Sequence, residues 1–205
     1  MKLNLTLVLL FCIVSAWGQI PAITQTGDEV ILYDDGTWEY AEVSSADTVE
    51  LPINPKKFTR SSGGYLVKSG RTNIGIYIDK KWQQVKGKAD AEYTFRLKDQ
   101  EAYGILITER IHVPVEQLAD LAFVNARNVA GDAKIVEKEY RFVNDKQVIY
   151  MRMNARIQGI DFVYLGYYYS DESGSTQLLM YTGQSLFDEY RSKMEEFMNG
   201  FVVNP

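Results

Sequence analysis

The chain has 205 residues, with 22 lysines and arginines against 27 aspartates and glutamates, for a net charge of −5 at neutral pH. An acidic chain whose basic runs never exceed two residues is a poor partner for nucleic acid and anionic membrane surfaces. Aromatic residues make up 13% of it, 14 of them tyrosines, and such a composition fits a sheet-rich protein because rings pack well on pleated surfaces.

Residues 1–18 read as a cleavable export signal. Lys2 gives a positive start, and Leu3 to Val14 is apolar apart from Asn4 and Thr6. Ser15-Ala16-Trp17-Gly18 then places small residues before a cut at Gln19. The apolar run is shorter than the ~20 residues of a membrane span. Bulky Phe11 in front of Cys12 argues against lipid modification at that cysteine. Cleavage removes the only cysteine, so the mature chain has no disulfide and no thiolate chemistry and relies on a hydrophobic core. The expected location is the periplasm or the exterior, with no integral membrane segment left after cleavage.

The mature chain opens on a compact pattern. Val30-Ile31-Leu32-Tyr33 and Thr37-Trp38-Glu39-Tyr40 flank Asp34-Asp35-Gly36, and Asp-Gly tolerates the positive φ of a two-residue hairpin turn. Residues 19–43 are therefore expected to form a small hairpin module. A lone hairpin is barely stable in water, so it should pack on a neighbour or a partner. Residues 44–57 carry Pro52 and Pro55 without periodicity and read as a linker or an extended wrap.

The main domain is expected over 58–205. Short strands fall near Tyr65 to Lys68 and Asn73 to Ile78, and Asp79-Lys80-Lys81-Trp82 makes a polar turn closed by a large ring. Tyr93, Phe95 and Leu97 alternate with polar residues as in a half-buried strand, and Ala102 to Glu109 continues as its hairpin partner. A helix begins after Pro114, with Val115, Leu118, Ala119, Ala122, Ala126 and Val129 at helical spacing and Gly131 as its stop. Strands follow at Lys134 to Val143, Gln147 to Ile157, Ile160 to Tyr169 and Ser175 to Thr182. Their turns are Asn144-Asp145, Gln158-Gly159 and Asp171 to Gly174. A last helix carries the stripe Leu186, Phe187, Tyr190, Met194, Phe197 and Met198; Ser185 and Asp188 are spaced as a capping box, and Gly200 ends it. The fold class is α+β: a mostly antiparallel sheet of about six strands packed with helices, preceded by a hairpin.

This order of elements resembles the PsbP-like α/β sandwich superfamily over roughly Phe58 to Val203. The most telling stretch is GYYYSDESGSTQLLMYTGQSLFDEYRSKMEEFMNGF, a long strand, a strand ending in Tyr-Thr, and a helix opening Ser-x-Phe. The turn Tyr77-Ile78-Asp79-Lys80-Lys81-Trp82 is similar to an early strand of that group leading to a tryptophan. The resemblance implies an α/β/α sandwich and a role in protein binding or assembly, with no shared catalytic centre. The DDGTWEY hairpin is similar to N-terminal modules on exported Bacteroidetes proteins, which implies a Gram-negative periplasm.

Catalytic motifs are not evident. His112 is the only histidine, stands before Pro114 at a strand-to-helix junction, and has no Gly-x-Ser-x-Gly elbow. Asp34-Asp35-Gly36 and Asp171 to Gly174 lack the ligand alternation of a calcium loop and read as turns. No catalytic residue, metal or cofactor is expected; a carboxylate-pair hydrolase is the third reading, behind the others because such enzymes need a deep cleft and longer loops than these short turns leave. In the strand from Gln147 to Ile157, Ile149, Met151, Met153 and Ala155 form an apolar face. Tyr150, Arg152, Asn154 and Arg156 lie opposite. Tyr150, Arg152 and Arg156 are candidates for holding an anionic group or an acidic partner, because Arg presents a planar fork of donors. The alternative is that these arginines pair with Glu137, Glu139 or Asp161 on adjacent strands. Tyr164 and Tyr167 to Tyr169 divide between core and a possible aromatic contact surface. The leading expectation is a non-enzymatic interaction or assembly module with an envelope protein as partner. The alternative is a small-ligand-binding protein with a pocket between sheet and helix.

Overall fold

A computed structural model describes residues 19–24, 29–40, 50–61, 63–85 and 91–205. The expected export signal and residues 44–49 of the expected linker lie outside the described residues. Near the N-terminus, β1 (Gln19–Ile23), β2 (Glu29–Tyr33) and β3 (Trp38–Tyr40) form an antiparallel three-stranded meander. The expected β2–β3 hairpin is present, with a three-residue loop where a two-residue turn is expected. Tyr33 donates to the Thr37 carbonyl at 2.9 Å, and Gly36 takes φ +83°. That is the hairpin geometry in which glycine ends the loop in the left-handed region.

The expected strands and helices of the main domain are found at β5 (Tyr65–Lys68), β6 (Ile74–Ile78), β8 (Tyr93–Leu97), β9 (Ala102–Glu109), α1 (Val115–Val129), β10 (Lys134–Val143), β11 (Lys146–Ile157), β12 (Ile160–Asp171), β13 (Gly174–Gly183) and α2 (Phe187–Met198). Three further strands are β4 (Ile53–Phe58), β7 (Trp82–Val85) and β14 (Phe201–Val203). The large sheet has eight strands rather than six, ordered β4-β10-β11-β12-β13-β9-β8-β7. The two additions are its edges. β4 runs parallel to β10, with the Pro52 carbonyl accepting from Tyr140 at 2.9 Å. Its residues are mostly exposed and it contains Pro55, so it has no alternation to read, and an edge is where a strand tolerates proline. β7 buries Trp82 but exposes Gln83, Gln84 and Val85. Short polar edges of this kind discourage further pairing.

Long hairpins build the centre of the sheet. Asn144-Asp145 (φ 46° and 63°) and Gln158-Gly159 (φ 51° and 84°) take left-handed conformations at both central positions, as a type I′ turn requires. On one face lie α2 and a second antiparallel sheet, β14-β6-β5. Their core joins Ile74, Ile76 and Ile78 to Phe95, Leu106, Tyr167, Met194 and Phe201. Phe197 sits at its centre, 4.7 Å from the Trp82 ring and 5.1 Å from Phe95. On the other face α1 packs Leu118, Ala119 and Ala122 against Ile149, Met151, Met153 and Tyr168.

Two helix signals work differently from the expectation. α2 has no capping box: a 3₁₀ turn over Gln184–Leu186 moves the helix start to Phe187, and no side chain caps it. α1 ends at Ala130, which is extended at φ −137° and donates to the Ala126 carbonyl, so Gly131 follows the stop instead of making it.

Candidate functional site

β9 and β13 alternate cleanly. Ala102, Leu106, Leu178 and Met180 are closed under α2, while Tyr103, Ile105, Leu179 and Tyr181 on the α1 side stay half-exposed. The cause is coverage, since α1 lies over β11 and β12 and the sheet continues through β13, β9, β8 and β7. Cross-strand register assembles a row of rings on this open half. Tyr103 opposes Tyr181 across β9–β13, and Tyr181 opposes Tyr164 across β13–β12. Tyr103 stacks on Tyr181 at 5.2 Å and 22°, and Tyr181 on Tyr164 at 5.5 Å and 24°. Phe162 continues the row at 6.2 Å from Tyr164, and the Arg96 guanidinium stands 5.8 Å from the Tyr103 ring at the other end. Burial and the neighbouring phenol push the Tyr164 and Tyr181 hydroxyls above their ordinary pKa.

Beside this row, under the C-terminal half of α1, is a cleft of about 270 Å³. Ala122 and Ala126 form its roof, Met153, Ala155 and Leu179 line its floor, and Tyr168 lines its wall. The small alanines on α1 and β11 create the space. Tyr168 is fully buried, and its hydroxyl has no partner among the described residues. Its ring lies back along β12 over Gly166, where an added Cβ would meet the phenol at 2.7 Å. Burial alone raises the pKa of this hydroxyl. A second hollow, of about 290 Å³, is ringed by the exposed Lys80, Lys81 and Lys98 at the far edge of the sheet and the half-exposed Lys193 of α2.

Tyr150, Arg152 and Arg156 do leave β11 on one face, but they do not make one exposed patch. Tyr150 is fully buried in the α2-side core, edge-on to Tyr167 at 6.1 Å. The buried Arg141 lies 3.3 Å from the Tyr150 ring and 4.6 Å from Phe58, with Glu139 at 2.6 Å and Glu137 at 3.5 Å. Arg152 is 3.8 Å from Glu137. Arg156 forms a two-bond fork on Asp161 at 2.9 and 3.0 Å. Both arginines therefore already have carboxylate neighbours.

His112 meets a serine. Its Nδ1 lies 3.2 Å from Ser170 Oγ, but also 3.1 Å from the Asp171 carbonyl. A carbonyl demands a proton on Nδ1, which removes the lone pair that a catalytic base would offer the serine. Ser170 also accepts from the Val113 N–H, and Ser175 donates to the Ile111 carbonyl, so the cluster fastens the β12–β13 turn to the start of α1. The acidic turns are engaged locally. Asp35 accepts from the Thr37 N–H and hydroxyl. Asp171 accepts from Ser173, Asn73 and Tyr169. Burial raises the Asp171 pKa, but these donors outweigh it and hold the carboxyl below its ordinary value. No cluster of three metal-ligating side chains occurs among the described residues.

Known structures share this architecture. Cyanobacterial PsbP from Synechocystis sp. PCC 6803 superposes with a TM-score of 0.52 at 9% identity, over 68% of this chain and 91% of that one. The fold is PsbP-like. LpqN of Mycobacterium tuberculosis, described as involved in cell envelope biogenesis, gives 0.50 at 7% identity, over 69% of this chain and 90% of its own. The Ran-binding protein Mog1p of Saccharomyces cerevisiae gives 0.49 at 6%, over 70% and 97%. No family model and no curated protein sequence matches the chain. No helix among the described residues is long and apolar enough to cross a membrane.

The arginine candidates come from the alternation of one strand. The tyrosine row was harder to see, because Tyr103, Tyr164 and Tyr181 sit on three strands and meet only through register. The cleft had a weaker signal still: alanines at Ala122, Ala126 and Ala155, where larger residues would close the core.

Proposed function

We propose that this chain is a non-enzymatic binding module exported to the cell envelope, working through the half of its sheet that α1 leaves open. The observation that carries this reading is the half-exposed row Arg96, Tyr103, Tyr181, Tyr164 and Phe162. Tyrosine and arginine are enriched in protein interfaces, and contiguous exposed apolar surface marks interaction sites. The stacking favours a protein partner over a sugar or a base. Each central ring has a face turned to its neighbour, so the row offers edges and hydroxyls instead of a flat platform. The signal-like residues 1–18 and the involvement of LpqN in cell envelope biogenesis support the compartment.

Affinity capture from envelope extract tests it, with Tyr103→Ser plus Tyr181→Ser as the comparison and circular dichroism to check folding. The wild-type protein should recover a specific partner that the folded variant loses. Undiminished recovery by that variant overturns the assignment of this face. Arg152 and Arg156 leave the opposite, α2-side face of the sheet, so any part they take in binding belongs to a separate contact and requires giving up Glu137 and Asp161. Capture unchanged by Arg152→Ala plus Arg156→Ala removes them from partner binding.

The cleft favours a second reading, a small-ligand-binding protein. Ligand pockets are largely apolar with a few convergent polar groups, and this one matches that description.

A further inference from the structure

The lining of the cleft under α1 contains no charged side chain. Its polar members are Asn125, Gln177, Tyr164 and Tyr168. An ionised ligand would surrender its hydration there and meet no counter-charge, which is strongly unfavourable. A purely apolar one would gain nothing from the buried Tyr168 hydroxyl, whereas a ligand with an acceptor would relieve a buried donor that has no partner among the described residues. The volume also sets a scale. A dry cavity of about 150 Å³ accepts benzene, and the cleft is larger, at about 270 Å³.

We propose that the cleft binds a neutral amphiphile, an apolar body with one hydrogen-bond-accepting head group that takes the proton of the Tyr168 hydroxyl. This rests on the small-ligand reading of the site and goes beyond it by naming the ligand's charge, polarity and anchor. Ala122, Ala126 and Ala155 provide the room, and Met153 adds an adaptable apolar surface. Glycine at 166 lets the Tyr168 ring lie along the strand, since any Cβ there would strike the phenol. The hydroxyl is buried in the free protein, so the acceptor has to displace side chains that cover it.

Three eight-carbon probes separate the terms: 1-octanol, 2-octanone and octanoate, each titrated into isotope-labelled protein at neutral pH and followed by amide shifts. The alcohol and the ketone should bind with shifts confined to the cleft-lining parts of α1, β9, β11, β12 and β13, and octanoate should bind roughly tenfold more weakly or worse. Tyr168→Phe should weaken the ketone by about two- to tenfold, the range of one net hydrogen bond. Octanoate binding as tightly as octanol, or ketone affinity untouched by Tyr168→Phe, overturns the proposal and leaves the small-ligand reading standing. Failure of all three probes to bind wild-type protein overturns both.

Discussion

Along β9 the side chains alternate between two environments. Ala102, Leu106 and Thr108 are closed beneath α2 and the small sheet, while Tyr103, Ile105 and Ile107 on the reverse stay half-exposed. β13 repeats the contrast with Leu178 and Met180 against Leu179 and Tyr181. The same strands, with apolar residues on both sides, have one face sealed by a helix plus three strands and the other attended by a single helix. Apolar area kept in water forgoes about 25 cal/mol per Å² that burial would return. The contrast teaches where to look for function: the sealed face carries the stability, and the half-open face keeps its unburied area for a partner or a ligand.

Substitutions on the two faces should differ accordingly. Phe197→Ala on the sealed face removes a ring packed on Trp82 and Phe95 and should cost about 3–5 kcal/mol in urea unfolding. A loss below about 1 kcal/mol would erase the distinction, because that is the order expected for an exposed ring pair such as Tyr103 and Tyr181. Arg141→Ala leaves Glu139 without its 2.6 Å partner beside the core and should cost about 2–4 kcal/mol in the same assay. On the half-open face, Tyr168→Phe deletes an unpartnered hydroxyl, so stability should hold or rise by up to about 1 kcal/mol. A marked drop in melting temperature would reveal a hydrogen bond at that hydroxyl.

The smallest effect concerns acid. Hydrogen bonds from Ser173, Asn73 and Tyr169 hold Asp171 below its ordinary value of 3.8 despite burial, so folding favours the ionised carboxylate. That contribution is complete above about pH 4 and fades as pH falls through the lowered folded-state pKa. Asp171→Asn should flatten the fall of unfolding free energy between about pH 5 and about pH 2. An unchanged slope would show that other carboxylates govern acid sensitivity.

Much of the fold was legible from local patterns. Period-two alternation found β8 and β9, and paired turn residues set the register of β10, β11 and β12. The apolar stripe of α2 found its buried face, because Phe187, Tyr190, Met194, Phe197 and Met198 recur at helical spacing. β4 and β7 escaped because edge strands are short and mostly exposed, so burial leaves no pattern in them. The capping box at Ser185 failed because a 3₁₀ turn, not the side chain, starts the helix. Among the candidate residues, alternation correctly set Tyr150, Arg152 and Arg156 on one side of β11. It could not tell that this side faces α2, where Tyr150 becomes core.

The sequence by itself determined the class of fold, the order of its central strands and both helices, because these follow from periodicity and turn chemistry within a few residues. It also determined the absence of thiols after residue 18 and the acidic balance. Only the tertiary structure decided which face of the sheet is sealed. Alternation shows that a strand has two sides, but the covering elements β5, β6, β14 and α2 come from opposite ends of the domain and meet through long-range packing. The same packing placed Tyr103, Tyr181 and Tyr164 in one row and left Tyr168 at the wall of an apolar cleft with its hydroxyl buried.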